Sequence, residues 1–166
     1  GRIEVDTILK MADFEQVAAI KWSAPEDVNY DDMTKFSDTF NVIANGEVMH
    51  ALRIGAHGYI NLTVESYPPH DLRVWELVEN GQYDEAEILY KSVEDPLREL
   101  SGKMDVRSGG QGRLKKGIMA LMGKPVGSSR QPSKPLNEQE MDAIRELLIS
   151  FGWPVQETAA KALAGV

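Results

Sequence analysis

The chain contains no cysteine among its 166 residues, which excludes disulfides, thiolate metal sites and cysteine nucleophiles and fits a reducing compartment. Histidine is scarce: His50, His57 and His70 show no ligand spacing with acidic partners, so no metal is expected. No apolar run approaches membrane-spanning length, and the N-terminus lacks the charged-then-apolar layout of a signal peptide. A cytoplasmic protein with no membrane partner is expected. Basic residues are outnumbered, 18 Lys and Arg against 26 Asp and Glu, and the net charge of −8 disfavours a general nucleic-acid binder. What is present, 42% hydrophobic and 27% charged residues, is ordinary for a soluble globular protein. The length suffices for one domain with a real core, or one and a half small ones.

The chain is organised around Val17-Ala18-Ala19-Ile20-Lys21, followed by Trp22 and Ser23. The unbroken apolar run predicts a strand buried on both faces, as in a parallel sheet covered by helices. Lys21 sits where that strand ends. In a (β/α)8 barrel the active site lies at the C-terminal strand ends, where an amine shielded from water serves as a Schiff-base nucleophile. By itself a lysine at a strand exit is more often a solvated end.

Before this strand, Asp6 is placed to cap a short helix carrying Ile8, Leu9 and Met11. After it, a helix from about Tyr30 points Met33 and Phe36 inward. A second strand, Phe40-Asn41-Val42-Ile43-Ala44, closes on Asn45-Gly46, and residues 47–54 read as a helix stopped by Gly55. A third strand, Gly58-Tyr59-Ile60-Asn61-Leu62, leads to a helix opened by Pro68 and Pro69, with Leu72, Trp75 and Val78 at helical spacing. This alternation with short joins predicts parallel β/α units. From Tyr83 onward the pattern is helical only. One helix runs to about Leu100 with a kink expected at Pro96, and a shorter one carries Leu114, Ile118, Leu121 and Met122. The last starts on a capping-box-like Asn137 and Glu140 and bears Met141, Ile144, Leu147, Leu148 and Phe151. The expected domains are therefore a partial barrel over 1–80 and a helical domain over 81–166. Three strands cannot close a barrel, so the edge at the first strand calls for another segment to pair with it.

Two further features carry less. Ser108-Gly109-Gly110-Gln111-Gly112 is glycine-rich but follows a helix and lacks a phosphate-loop ending, so a flexible loop is expected. Arg107, Arg113, Lys115, Lys116, Lys124, Arg130 and Lys134 form an acid-free basic run. Without interleaved aromatics it reads as a solvated face or subunit contact rather than an anion or nucleic-acid patch.

Taken in order, these motifs resemble the C-terminal half of the dihydrodipicolinate synthase/N-acetylneuraminate lyase family of class I aldolases. Val17-Ala18-Ala19-Ile20-Lys21 is similar to the family's sixth barrel strand, which ends in the Schiff-base lysine. Asn45-Gly46-Glu47 resembles the turn after the seventh strand, and Ala51 through Asn61 the helix, Gly-Ala-x-Gly and eighth strand. Gly81-Gln82-Tyr83-Asp84-Glu85-Ala86 resembles the start of the C-terminal helices, and Lys116 to Met122 with Gly123, Gly127, Arg130, Pro132 and Pro135-Leu136 the tail.

The resemblance implies a lyase, aldolase or dehydratase acting on pyruvate or another 2-keto acid, with no cofactor and a homo-oligomeric assembly. Lys21 would be the catalytic nucleophile. Asn45, Gly46, Ile60 and Asn61 would line the substrate pocket, Gly46 through its backbone and Ile60 as a packing contact. An ordinary lysine amine, with a pKa of about 10.4, is protonated at neutral pH, so desolvation or a neighbouring cation must free it. The family's tyrosine shuttle and carboxylate-binding loop lie on earlier strands. This chain by itself is therefore expected to be inactive until the missing N-terminal barrel half is supplied, by the same gene product or another chain. Tyr59 reads as a packing residue, Asn61 stands where many relatives carry serine, and Trp22 is either a wall of the mouth or a residue packed under a helix. The alternative is a non-catalytic, aldolase-derived module kept for assembly or ligand binding, and a lysine at the strand end with an intact Gly46 turn argues against it.

Overall fold

Strand β1 (Ala19–Trp22) lies beside β2 (Asn41–Ala44), and β2 beside β3 (Gly58–Tyr59), all parallel and in chain order. The computed structural model describes residues 3–24 and 28–156. Packing divides the chain between Asn61 and Leu62 into two units.

In the first unit, short joins place each strand next to its predecessor. A 3-10 helix (Tyr30–Lys35) follows β1, started by the Asn29 side chain, which accepts from the Asp31 amide at 3.1 Å. Helix α2 (Val48–Arg53) follows β2 and ends before Gly55, whose φ of +109° belongs to glycine. Ahead of the sheet, α1 (Val5–Lys10) has Glu4 at its N-cap, so Asp6 lies within the first turn and is not the cap; there it complements the helix dipole. The second segment folds as a 3-10 helix, yet Met33 and Phe36 point inward as expected, both fully buried.

The sheet differs from expectation in one respect that matters for the site. In-register residues share a face, and successive residues alternate. Trp22, Val42 and Ala44 are buried against the helices of this unit, whereas Ala19, Lys21 and Asn41 on the other face are exposed and Ile43 is half-buried. The strand is thus buried on one face rather than two. An apolar run reports that both faces are chemically suited to burial; whether both are covered depends on elements distant in sequence.

The second unit is helical among the described residues: α3 (Pro68–Glu79), α4 (Tyr83–Asp105), α5 (Gly110–Leu121) and α6 (Glu138–Ser150). Helix α3 packs on α4 within this unit. Its inward face is His70, Asp71, Val74, Leu77 and Val78, while Leu72 is 65% exposed, so the apolar stripe is rotated from the one expected. Helix α4 runs unbroken past Pro96, well beyond Leu100. Burial of Val93 and Leu97 on either side of the proline holds the segment helical despite the lost backbone bond. Val93, Leu97, Met104, Leu114, Ile118, Leu121, Met141, Ile144 and Leu148 form one core. Helix α6 begins with the expected capping box, the Asn137 side chain accepting from the Glu140 amide at 2.8 Å and Glu140 accepting from the Asn137 amide at 3.0 Å.

The glycine-rich segment is not a loop throughout. Gly110 to Gly112 form the first turn of α5, and the Gly110 amide donates to the Asp105 carboxylate. A Cβ at Gly110 would fall 2.1 Å from the Ser101 carbonyl oxygen, so glycine is required where the two helices meet. No helix among the described residues is long and apolar enough to cross a membrane.

Candidate active site

Lys21 is the penultimate residue of β1 and is exposed. It lies in register with Ile43, which in turn pairs with Gly58, so these three form one row across the bare face near the C-terminal edge of the sheet. Ile60, two residues beyond Gly58, donates its amide to the Ala44 carbonyl at 3.0 Å and is 46% exposed, on the same face by alternation. The Ile43 side chain reaches over the glycine in the row, its Cδ1 3.4 Å from where a Gly58 Cβ would stand.

The turn after β2 is tied to the end of β1. The Asn45 amide donates to the Trp22 carbonyl at 2.9 Å, and its side-chain amide donates to Ser23 Oγ at 2.6 Å. Gly46 is exposed, and a Cβ there would fall 3.1 Å from the Tyr30 ring. Asn61 is placed differently. It is buried, 8% exposed, and does not share the open face with Lys21 and Ile60. Four of the sequence-derived residues therefore gather at one sheet edge, and the fifth is set into the protein.

Trp22 resolves to the packed alternative. It is buried, edge-on to Tyr30 and Phe36 at centroid distances of 6.3 and 5.2 Å. Tyr59 is in register with Ala44, on the face away from Lys21. Sequence reading gave Tyr30 no role beyond marking the start of a helix. Its hydroxyl donates to the Trp22 carbonyl at 3.3 Å, and burial pushes its pKa up, partly offset by a backbone contact with Asn45. The available signal was a tyrosine one helical turn before the inward Met33 and Phe36.

The remaining candidates are structural. His50 pairs with Asp31 at 2.5 Å, and His70 is buried near Trp153, burial lowering its pKa against the opposing charge of Asp71. Among the described residues no group of three or more His, Cys, Asp or Glu side chains stands where it could hold a metal. Within the basic run, Arg113 is buried, Arg107, Lys115 and Lys116 are half-buried, and Lys124, Arg130 and Lys134 are exposed. Lys115 pairs with Glu65 at 2.7 Å, and Lys116 and Lys124 donate to backbone carbonyls of Ser128 and Ser66. Arg113 is 1% exposed and donates to the carbonyls of Lys134 at 2.7 Å and Ser108 at 2.8 Å, and to Glu140. Arg107 also donates to Glu140, at 3.0 Å. Burial raises the Glu140 pKa, but the two guanidiniums outweigh it and hold the carboxyl down at about 2. The only sequence signal for Arg113 was a charge beside the apolar stripe of Leu114, Gly117, Ile118 and Leu121, and it did not give the role.

The geometry can be set beside known proteins. A curated 4-hydroxy-tetrahydrodipicolinate synthase from Heliobacterium modesticaldum is 24% identical over an alignment of 162 residues, covering 93% of this chain and 51% of that protein. The crystal structure of dihydrodipicolinate synthase from Aquifex aeolicus matches with a TM-score of 0.75 at 20% identity, over 94% of this chain and 53% of that one. N-acetylneuraminate lyase from Fusobacterium nucleatum matches with a TM-score of 0.73 at 19% identity, over 91% and 50%. The chain thus spans about half the length of the relatives it matches, and its parallel sheet has the fold of the corresponding part of these enzymes. The family model described as dihydrodipicolinate synthetase matches residues 1–150, and the chain belongs to that family.

Proposed function

We propose that this chain is the C-terminal portion of a (β/α)8 lyase that acts on pyruvate or another 2-keto acid through a Schiff base on Lys21. The observation that carries the reading is the position of Lys21: exposed at the C-terminal end of a parallel strand, on the sheet face opposite buried Trp22, Val42 and Ala44, with exposed Ile60 on the same face. In a closed barrel that face is the interior. In β/α order α3 is the helix that follows β3, so we assign residues 1–80 to the barrel and 81–166 to the C-terminal helical domain, although α3 packs with α4.

Covering the bare face with the remaining strands removes the amine from bulk water, which favours the neutral nucleophile. The amine nitrogen adds to the keto carbon, and the carbinolamine expels water to give an iminium. That iminium accepts the electron pair released when a proton leaves C3 or a carbon–carbon bond breaks. Asn45 and Gly46 form the adjoining rim, with Gly46 offering backbone to the substrate, and Ile60 packs beside it. We place Asn61 behind this wall, supporting the β3 end. The proton shuttle and the carboxylate-binding groups come from the rest of the barrel, which is the first partner this chain needs; a homo-oligomer of completed barrels is the second.

The test is pyruvate with borohydride, followed by intact and peptide mass spectrometry, on the completed barrel. The expected result is a reduced adduct on Lys21 that Lys21→Ala abolishes with unchanged circular dichroism, and no adduct on this chain alone. Absence of adduct from a folded, completed barrel would leave the non-catalytic module as the better reading. An adduct on the chain alone would overturn its need for the remaining strands.

A further inference from the structure

The end of β1 is held by a reciprocal pair of buried side chains. Trp22 Nε1 donates to the Tyr30 carbonyl at 3.3 Å, and the Tyr30 hydroxyl donates back to the Trp22 carbonyl at 3.3 Å. Both residues are 7% exposed. The same Trp22 carbonyl accepts the Asn45 amide at 2.9 Å, so the Trp22–Ser23 peptide group, the second one after Lys21, is shared between a tyrosine and the turn that follows β2. The Tyr30 ring continues beneath that turn, 3.1 Å from where a Gly46 Cβ would stand. Asn29 and the Asp31–His50 pair fix the backbone on either side of Tyr30, the latter at 2.5 Å.

One side chain therefore touches both halves of the proposed rim: the strand that carries the lysine and the glycine turn beside it. Trp22 points away from the open face, so its neighbour Lys21 points into it, and rotation of the Trp22 peptide would swing the lysine with it. We propose that Tyr30 is a positioning residue for Lys21, clamping the strand exit to the Asn45–Gly46 turn so that the amine and the turn hold a fixed separation. This rests on the reading of Lys21 as the Schiff-base nucleophile. Burial keeps the phenol protonated, as the clamp requires of a donor. The chemistry predicted for such a residue is a rate effect rather than an affinity effect, because a displaced nucleophile still binds substrate but reaches the reactive geometry less often.

Two measurements test the clamp. In the chain itself, Tyr30→Phe keeps the ring under Gly46 and removes only the hydroxyl; amide hydrogen exchange at Asn45 should accelerate about tenfold, because the strand exit loses its tie to Tyr30 and opens from the turn more often. In the completed barrel, the amplitude of pyruvate–borohydride trapping counts competent sites, and its rate reports nucleophile placement. Tyr30→Phe should trap with full amplitude about tenfold more slowly at saturating pyruvate, with KM for pyruvate unchanged, and Gly46→Ala, which displaces the ring, should slow it similarly. A merely structural role for Tyr30 would lower amplitude and leave the rate alone, and that outcome overturns the proposal, as does unchanged exchange at Asn45. If the wild-type barrel gives no adduct on Lys21, the Schiff-base reading fails, and the exchange experiment alone decides whether Tyr30 clamps the strand exit.

Discussion

The helical unit finishes its own core, and the sheet unit does not. In the first case Leu97, Leu114, Ile118, Ile144 and Leu148 close on one another, and even an arginine is enclosed with its partners. In the second, Phe36, Val42 and Ala44 are sealed while Lys21 and Ile60 on the opposite face stay open. Each helix carries one apolar stripe and needs one neighbour, which the next helix in the chain supplies. A parallel strand has two faces, and its second face waits for elements far away in sequence. The difference teaches that the exposed lysine belongs to a sheet buried on one face only and the buried arginine to a completed core.

The largest effect should come from the completed core. Arg113→Met removes one partner from Glu140 and leaves the Lys134 and Ser108 carbonyls without their donor, and should cost about 3–5 kcal/mol in urea denaturation. A loss under about 1 kcal/mol would break the view that this cluster holds the unit together. On the sealed side of the sheet, Phe36→Ala should cost about 3–4 kcal/mol, because the fully buried ring packs on Trp22.

Acid sharpens the comparison. The folded-state pKa of Glu140, about 2, lies below its ordinary value, so the stability it confers is present above about pH 4.5 and lost as pH falls toward 2. Glu94 has the opposite sign: burial raises its pKa against the opposing hydrogen bond from Arg98, so its contribution is present below the ordinary value and lost as pH rises through the raised one. Stability of the helical unit should therefore pass through a maximum in mild acid. In pH-dependent urea melts, Glu94→Gln should flatten the upper limb and leave the lower limb intact. The smallest effect should lie on the bare face. Ile60→Ala in this chain should change stability by about 0.5 kcal/mol or less, and a larger loss would show that the face is covered after all.

Much of this was legible beforehand for local reasons. The Asn137 and Glu140 capping box, the Met33 and Phe36 pair, the Pro68 start of α3 and the order of strand and helix follow from hydrogen-bonding chemistry and periodicity within a few residues. The inward face of α3, the role of Arg113 and the second helical partner of Gly110 were not. Asp71 and His70 are buried in place of Leu72, and nothing within α3 announces that α4 approaches from that side. Among the site residues, Lys21 stands out from the strand pattern and Asn45, Gly46, Ile60 and Asn61 follow from the family resemblance, but Tyr30 reaches the Trp22 carbonyl and Gly46 across the fold, and only tertiary structure reveals that.

By itself the sequence determined the β/α alternation, the helical remainder and the lysine at a strand end, since each depends on side-chain chemistry read at short range. Tertiary structure alone decided which sheet face stays bare, that Trp22 packs beneath it rather than lining a mouth, and that one carbonyl beside Lys21 is shared by Tyr30 and Asn45. Those outcomes depend on which distant surfaces meet, and a one-dimensional pattern specifies what a face can bury without specifying what arrives to bury it.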